Sequence, residues 1–187
     1  MTKRIAVGIS GASGAIYGIR LLEELKKQGI ETHLIVSEWG EYTIVEETGR
    51  SLAEVEALAC VHYDPKDLAA GISSGSFPLD GMAVVPCSMK TLAGIANGFT
   101  DDLIIRAADV CLKERRRLLL VIRETPFSKI HLENMLKATE AGAIIMPPVP
   151  AFYTKPNSVD EIVFQTVSRI LNQLDIQAEG QKRWKME

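Results

Sequence analysis

Cysteine is scarce in this sequence. The 187 residues hold three, Cys60, Cys87 and Cys111, an odd number at unpatterned spacing. That spacing excludes a disulfide framework and a cysteine-based zinc site, and reduced thiols in a cytoplasmic protein are the expectation. Histidine is equally scarce. His33, His62 and His131 are scattered without ligand spacing, so no metal is expected. The net charge is only −3, which excludes a bulk nucleic-acid or anionic-membrane binder. No apolar run reaches the length of a membrane span. The opening "MTKRIAVGIS" has no signal-peptide core or cleavage site. Repeats and low-complexity segments are absent. Two nucleotide signatures are missing as well. There is no G-K-[ST], and G-x-G-x-x-G is incomplete, with Gly11 and Gly14 in its last two positions but Ile9 in its first.

What is present is alternation. Apolar runs that read as strands, "KRIAVGIS", "ETHLIVS", "GMAVVPCS", "RLLLVIRE" and "AIIMPPVP", are separated by helical patterns. Helices are expected in "GAIYGIRLLEELKKQG", "EWGEYTIVEETG", "MKTLAGIANG", "DDLIIRAADVCLKERR", "SKIHLENMLKATEAG" and "SVDEIVFQTVSRILNQLD". A further short helix opens at the capping box Ser51–Glu54 and runs to about Ala59. Continuous apolar strands alternating with helices predict an α/β fold. It is a single-domain, three-layer Rossmann-like or flavodoxin-like architecture over residues 1–187, with a parallel sheet and helices on both faces. The connection over residues 64–80 is long for a loop and is a functional candidate.

Ligands of such sheets bind beyond the C-terminal ends of the strands. There, "GISGASG" places Gly11, Ala12 and Ser13 at a helix start. It serves either as a mononucleotide phosphate site or as a tight turn with no ligand. "PCSMKTL" offers Ser88, Lys90 and Thr91 at a second helix start, where capping competes with ligand binding. Arg123 and Glu124 follow five apolar residues directly, a costly place for charge unless it is paired or used. Lys113, Arg115, Arg116 and Arg117 end a helix and suit its dipole or solvent, though one of them can reach a phosphate. Arg169, between "TVS" and "ILN", is expected partly buried, with a salt bridge as its plain role. Tyr153 ends "PPVPAFY" as a donor or a packing residue. Glu46 and Glu47 read as a solvated face, and Cys87 as a small buried residue rather than a nucleophile.

The set "GISGASGAIYG", "SSGSF", "PCSMKTLAGIANG", "RAADVCLKERR", "RETPFSKIHLENM" and "PPVPAFY" resembles the UbiX/Pad-type flavin prenyltransferases over residues 4 to about 184. The resemblance implies an enzyme that joins a dimethylallyl group from dimethylallyl phosphate to N5 and C6 of reduced FMN, without a metal. The product, prenylated FMN, serves a UbiD-type decarboxylase. It implies FMN binding by Gly11, Ala12, Ser13, Ser37, Ser88, Met89, Lys90, Thr91, Arg106 and Arg123. The allylic phosphate falls to Lys113, Arg123, Tyr153 and Arg169, and catalysis to Ser13, Glu47, Glu124 and Tyr153. Trp184 matches a position near the family's site, whereas Leu68 stands where some relatives carry an aromatic side chain. The family forms large homo-oligomers, usually dodecamers, and residues from about 175 to 187 are expected extended or packed on a neighbouring subunit. Two rivals share the fold: an FMN-dependent decarboxylase of the peptidyl-cysteine or pantothenoylcysteine type, and a non-catalytic flavin carrier.

Overall fold

Continuous apolar strands need cover on both faces, and the computed structural model provides it. It describes residues 3–181 and 183–185. Six strands form one parallel sheet in the order β3-β2-β1-β4-β5-β6. They are β1 (Arg4–Ile9), β2 (Glu31–Val36), β3 (Val61–Tyr63), β4 (Gly81–Cys87), β5 (Arg117–Ile122) and β6 (Ile144–Ile145). The helices are α1 (Ala15–Lys27), α2 (Glu38–Thr48), α3 (Leu52–Glu56), α4 (Met89–Asn97), α5 (Leu103–Lys113), α6 (Lys129–Glu140) and α7 (Val159–Gln173). Ser37, Ser51, Ser88, Asp102, Ser128 and Ser158 each accept a backbone N–H at a helix start, which is why these helices begin where they do. No helix among the described residues is long and apolar enough to cross a membrane.

Alternation divides the core. Ile5, Val7 and Ile9 of β1 join Val85, Leu119 and Val121 beneath α1 and α7. Ala6, Met82, Val84, Leu118 and Leu120 face the other way, beneath α5 and its neighbours. Gly18 lets α1 approach β4, because a Cβ there would lie 2.4 Å from the Val85 carbonyl oxygen.

Two elements differ from the sequence expectation. β3 is a sixth strand, half-exposed and only three residues long, too short to show a period. β6 pairs over two residues only, because the prolines after Met146 cannot donate to a ladder. The 64–80 connection is a cover rather than a free loop. It buries Ile72 and Leu79, and its Ser73 and Gly75 carbonyls accept from Arg106 (3.1 Å) and Arg116 (2.6 Å). Leu68 in it is exposed. Residues 174–181 fold back on their own chain, with Leu174 and Ile176 buried and the Gln181 side chain accepting from Asn172 at 2.6 Å.

His33 is 2% exposed on β2. The Glu31 carboxylate only accepts, so His33 Nε2 donates to it at 3.1 Å, and Nδ1 accepts from the Tyr63 hydroxyl at 2.8 Å. Burial holds this imidazole below its usual pKa, against the raising pull of Glu31.

Candidate active site

The strand order reverses between β1 and β4, which opens the crevice where α/β sheets bind ligands. Ser10 stitches the two strand ends together there. Its hydroxyl donates to the Pro86 carbonyl (2.9 Å) and accepts the Ser88 amide (2.8 Å), and the residue is 1% exposed. On the neighbouring strand, Ser37 N donates to Ile9 O at 3.0 Å, and its hydroxyl caps α2 through Gly40 N at 3.0 Å. Gly40 permits that approach, since a Cβ would lie 2.4 Å from the Ile9 carbonyl oxygen.

The opening loop crosses this edge. Gly11 packs so closely on α2 that a Cβ would lie 2.2 Å from Trp39 Cβ. Gly14 takes φ 103°, a conformation that favours glycine. Glu47 is not an idle surface acid. Its Oε2 accepts from the amides of Gly14 (2.8 Å) and Ala15 (3.1 Å), so a carboxylate occupies the α1 N-terminus. The donors left for a ligand are therefore the Gly11 and Ser13 amides and the Ser13 hydroxyl, which have no partner among the described residues. Ala12 N is used by Ser10 O at 2.8 Å. Ser88 and Thr91 share a hydroxyl contact of 3.0 Å at the start of α4. Met89 is half-buried beside them, whereas the Lys90 side chain turns away towards Asp101 (3.5 Å) and Asp102 (3.8 Å). These groups fit a flavin mononucleotide: small hydroxyls, free amides, and a glycine where a planar ligand must approach the backbone.

Arg123 and Glu124 leave the end of β5 on the same edge. The Arg123 amide donates to Cys87 O at 3.2 Å, but its guanidinium is exposed and without an ion-pair partner among the described residues. Glu124 accepts from the Thr125 amide at 3.0 Å and does not pair with Arg123, so the structural ion pair is ruled out. Cys87 is fully buried, and burial drives its thiol pKa up, which suits an inert core residue.

Two phosphate candidates, Lys113 and Arg169, do not join this edge within one chain. Lys113 ends α5, paired with Glu114, at the opposite end of β5 from Arg123. The six residues of β5 separate them by about 20 Å at roughly 3.3 Å per residue. Arg106 is spent on Asp109 (2.8 Å) and on the Ser73 carbonyl. Arg169 is exposed and unpaired among the described residues, not partly buried as the sequence suggested. It lies near the end of α7, which reaches the N-terminal edge of the sheet, where Lys3 and Arg117 donate to the Leu174 and Gln173 carbonyls at 2.7 and 2.6 Å. Tyr153 sits in a 3-10 turn, Phe152–Thr154, where its hydroxyl accepts from Gln165 of α7 at 3.2 Å.

The family described as Flavoprotein matches residues 1–171. A probable UbiX-like flavin prenyltransferase of Streptomyces sp. (strain D7) is 57% identical over 182 residues, 97% of this chain and 91% of that protein. The chain belongs to the UbiX-like flavin prenyltransferase family. A crystal structure of AnUbiX (PadA1) in complex with FMN and dimethylallyl pyrophosphate matches with a TM-score of 0.98 and 53% identity, over 100% of both chains. That of a dodecameric FMN-dependent UbiX-like decarboxylase from Escherichia coli O157:H7 matches with a TM-score of 0.96 and 50% identity, over 98% of this chain and 100% of that one.

In this UbiX-like chain the sequence reading missed two polar residues, Ser10 and Gln165. Each is a polar side chain at a buried position, 1% and 7% exposed. The signal was available in both. A hydroxyl ends an otherwise apolar strand in "AVGIS", and an amide interrupts the apolar stripe of α7 in "IVFQTV".

Proposed function

We infer that this chain is a flavin prenyltransferase, joining a dimethylallyl group from dimethylallyl phosphate to N5 and C6 of reduced FMN. The observation that carries this is the unpaired Arg123–Glu124 couple at the lip of a crevice lined by small donors. A bare carrier has no use for free charge there. Ser13, Ser37, Ser88 and Thr91, with the Gly11 amide, hold the flavin nucleotide, and Met89 lines its seat. The Lys90 side chain faces Asp101, so only its backbone serves the ligand. Glu47 acts on the loop by holding the Gly14 and Ala15 amides.

When bound, reduced FMN supplies the nucleophilic atoms. The chain supplies charge, orientation and a proton acceptor. Arg123, Lys113 and Arg169 neutralise the departing phosphate, and Tyr153 donates a hydrogen bond to it. Fixed cations fill the part a metal plays elsewhere. Glu124 takes up the proton released at C6.

Lys113 and Arg169 belong to other places on the chain, so we assign them to neighbouring copies in a homo-oligomer. The outward face of α2, with Trp39, Tyr42 and Val45 around a groove of about 500 Å³, is a contact surface for such a copy. A UbiD-type decarboxylase is the recipient of the product. A peptidyl-cysteine or pantothenoylcysteine decarboxylase is not favoured, because neither substrate carries a leaving phosphate for these cations.

The test is the mass of the flavin extracted after anaerobic incubation with reduced FMN and dimethylallyl phosphate. A flavin heavier by one prenyl unit is expected. Unmodified flavin returns the chain to the carrier or decarboxylase class.

A further inference from the structure

Gln165 lies on α7 at 7% exposure, where a polar side chain is costly unless bonded. Its Nε2 donates to Tyr153 Oη at 3.2 Å. The Tyr153 ring also meets Trp184 edge-on, with centroids 5.3 Å apart and planes at 84°. A cavity of about 200 Å³, lined by Thr154, Glu161, Phe164, Gln165 and Gly180, opens beside the pair. Tyr153 itself is 43% exposed, so its hydroxyl is fixed on one side and open on the other.

A phenol both donates and accepts, and an amide N–H only donates. With Gln165 filling an acceptor position, the one phenolic proton has no acceptor among the described residues. We infer that Gln165 is a positioning residue that sets the direction of the Tyr153 hydrogen bond, presenting the phenolic proton to the phosphate that leaves. This rests on the prenyltransferase activity inferred above, and it adds a residue that touches neither flavin nor phosphate. The charged groups around it are Glu161 and Arg169, one turn before and after on α7, with Lys155 after the 3-10 turn and Lys185 over the Trp184 ring at 5.7 Å.

Gln165→Glu reverses the bond without changing its shape. The carboxylate accepts the Tyr153 O–H hydrogen bond and so withholds that donor from phosphate. When the carboxyl is protonated it donates again, as the amide did. Two readouts are compared with wild type across pH 5 to 8.5: inorganic phosphate affinity by calorimetry, and prenylation kinetics with dimethylallyl phosphate. The expected result at the alkaline end is a loss of about tenfold in both phosphate affinity and kcat, on the scale of one hydrogen bond to a charged group. The variant-to-wild-type ratio recovers as the pH falls through the carboxyl's range. Gln165→Met, which keeps the bulk without donor or acceptor, loses only a few-fold at every pH. Combined with Tyr153→Phe, Gln165→Glu adds little further loss, because both act on one proton.

A Gln165→Glu protein equal to wild type, or equally impaired at every pH, overturns the inference. So does a full additional loss on top of Tyr153→Phe, which marks simple charge repulsion. If wild type binds phosphate but makes no prenylated flavin, the activity is wrong, while the phosphate ratios still decide the role of Gln165.

Discussion

At the C-terminal ends of β1, β2 and β4 most polar side chains are committed. Ser10 joins two strands, Ser37 and Ser88 cap helices, and Glu47 closes the α1 N-terminus. The cations assigned to the allylic phosphate are the reverse. Arg123 and Arg169 are exposed and unpaired among the described residues, and Lys113 leans only on its sequence neighbour Glu114. Physical chemistry explains the contrast. A hydroxyl is small, and one or two bonds satisfy it in the core, whereas a guanidinium loses far more on leaving water without a counter-charge. The flavin half of the site can therefore be finished inside one chain. In the proposed function, the anion half is completed by phosphate and by other copies of the chain.

The contrast can be broken at several points. Glu124→Gln removes the proton acceptor from the open half without touching the closed one. We expect kcat to fall by about 10²- to 10⁴-fold with FMN affinity unchanged, measured by single-turnover kinetics and flavin titration. Gly40→Ala strikes the closed half, driving a methyl against the Ile9 carbonyl oxygen. It should cost about 3 kcal/mol in urea unfolding, and FMN affinity should fall with it. Ser10→Ala removes the partner of the Ser88 amide and leaves the Pro86 carbonyl with the Ser10 amide alone. We expect a loss of about 1–3 kcal/mol in the same assay.

The smallest effect comes from pH. His33 is held below its unfolded value of 6.5 by burial, so the unfolded chain binds the extra proton first. Unfolding free energy should fall as the pH drops through 6.5, and this slope should shrink in His33→Gln.

Much of this was legible beforehand, and the failures are informative. The parallel sheet could be read because its strands are unbroken apolar runs, and the starts of α3 and α4 because Ser51 opens a capping box and Ser88 is a capping residue. β3 was missed because a three-residue edge strand has no period. Glu47 could not be placed from its own neighbourhood. Its partners, Gly14 and Ala15, lie more than thirty residues away, and only the packing of α2 on the opening loop joins them. Arg169 was taken as partly buried from its apolar neighbours, but on α7 it alone turns outward between Ser168 and Ile170. Resemblance collected Lys113, Arg123, Tyr153 and Arg169 into one phosphate site, whereas within one chain Lys113 and Arg123 lie at opposite ends of β5.

Subunit complementation tests that division most directly. Glu124→Gln and Arg169→Ala, each inactive alone, are co-expressed and the mixed oligomers assayed for prenylated flavin. If the open half is shared between copies, some sites in the mixture carry both native residues and turnover returns. If each chain builds its own site, every site retains one lesion and the mixture stays as inactive as its parents.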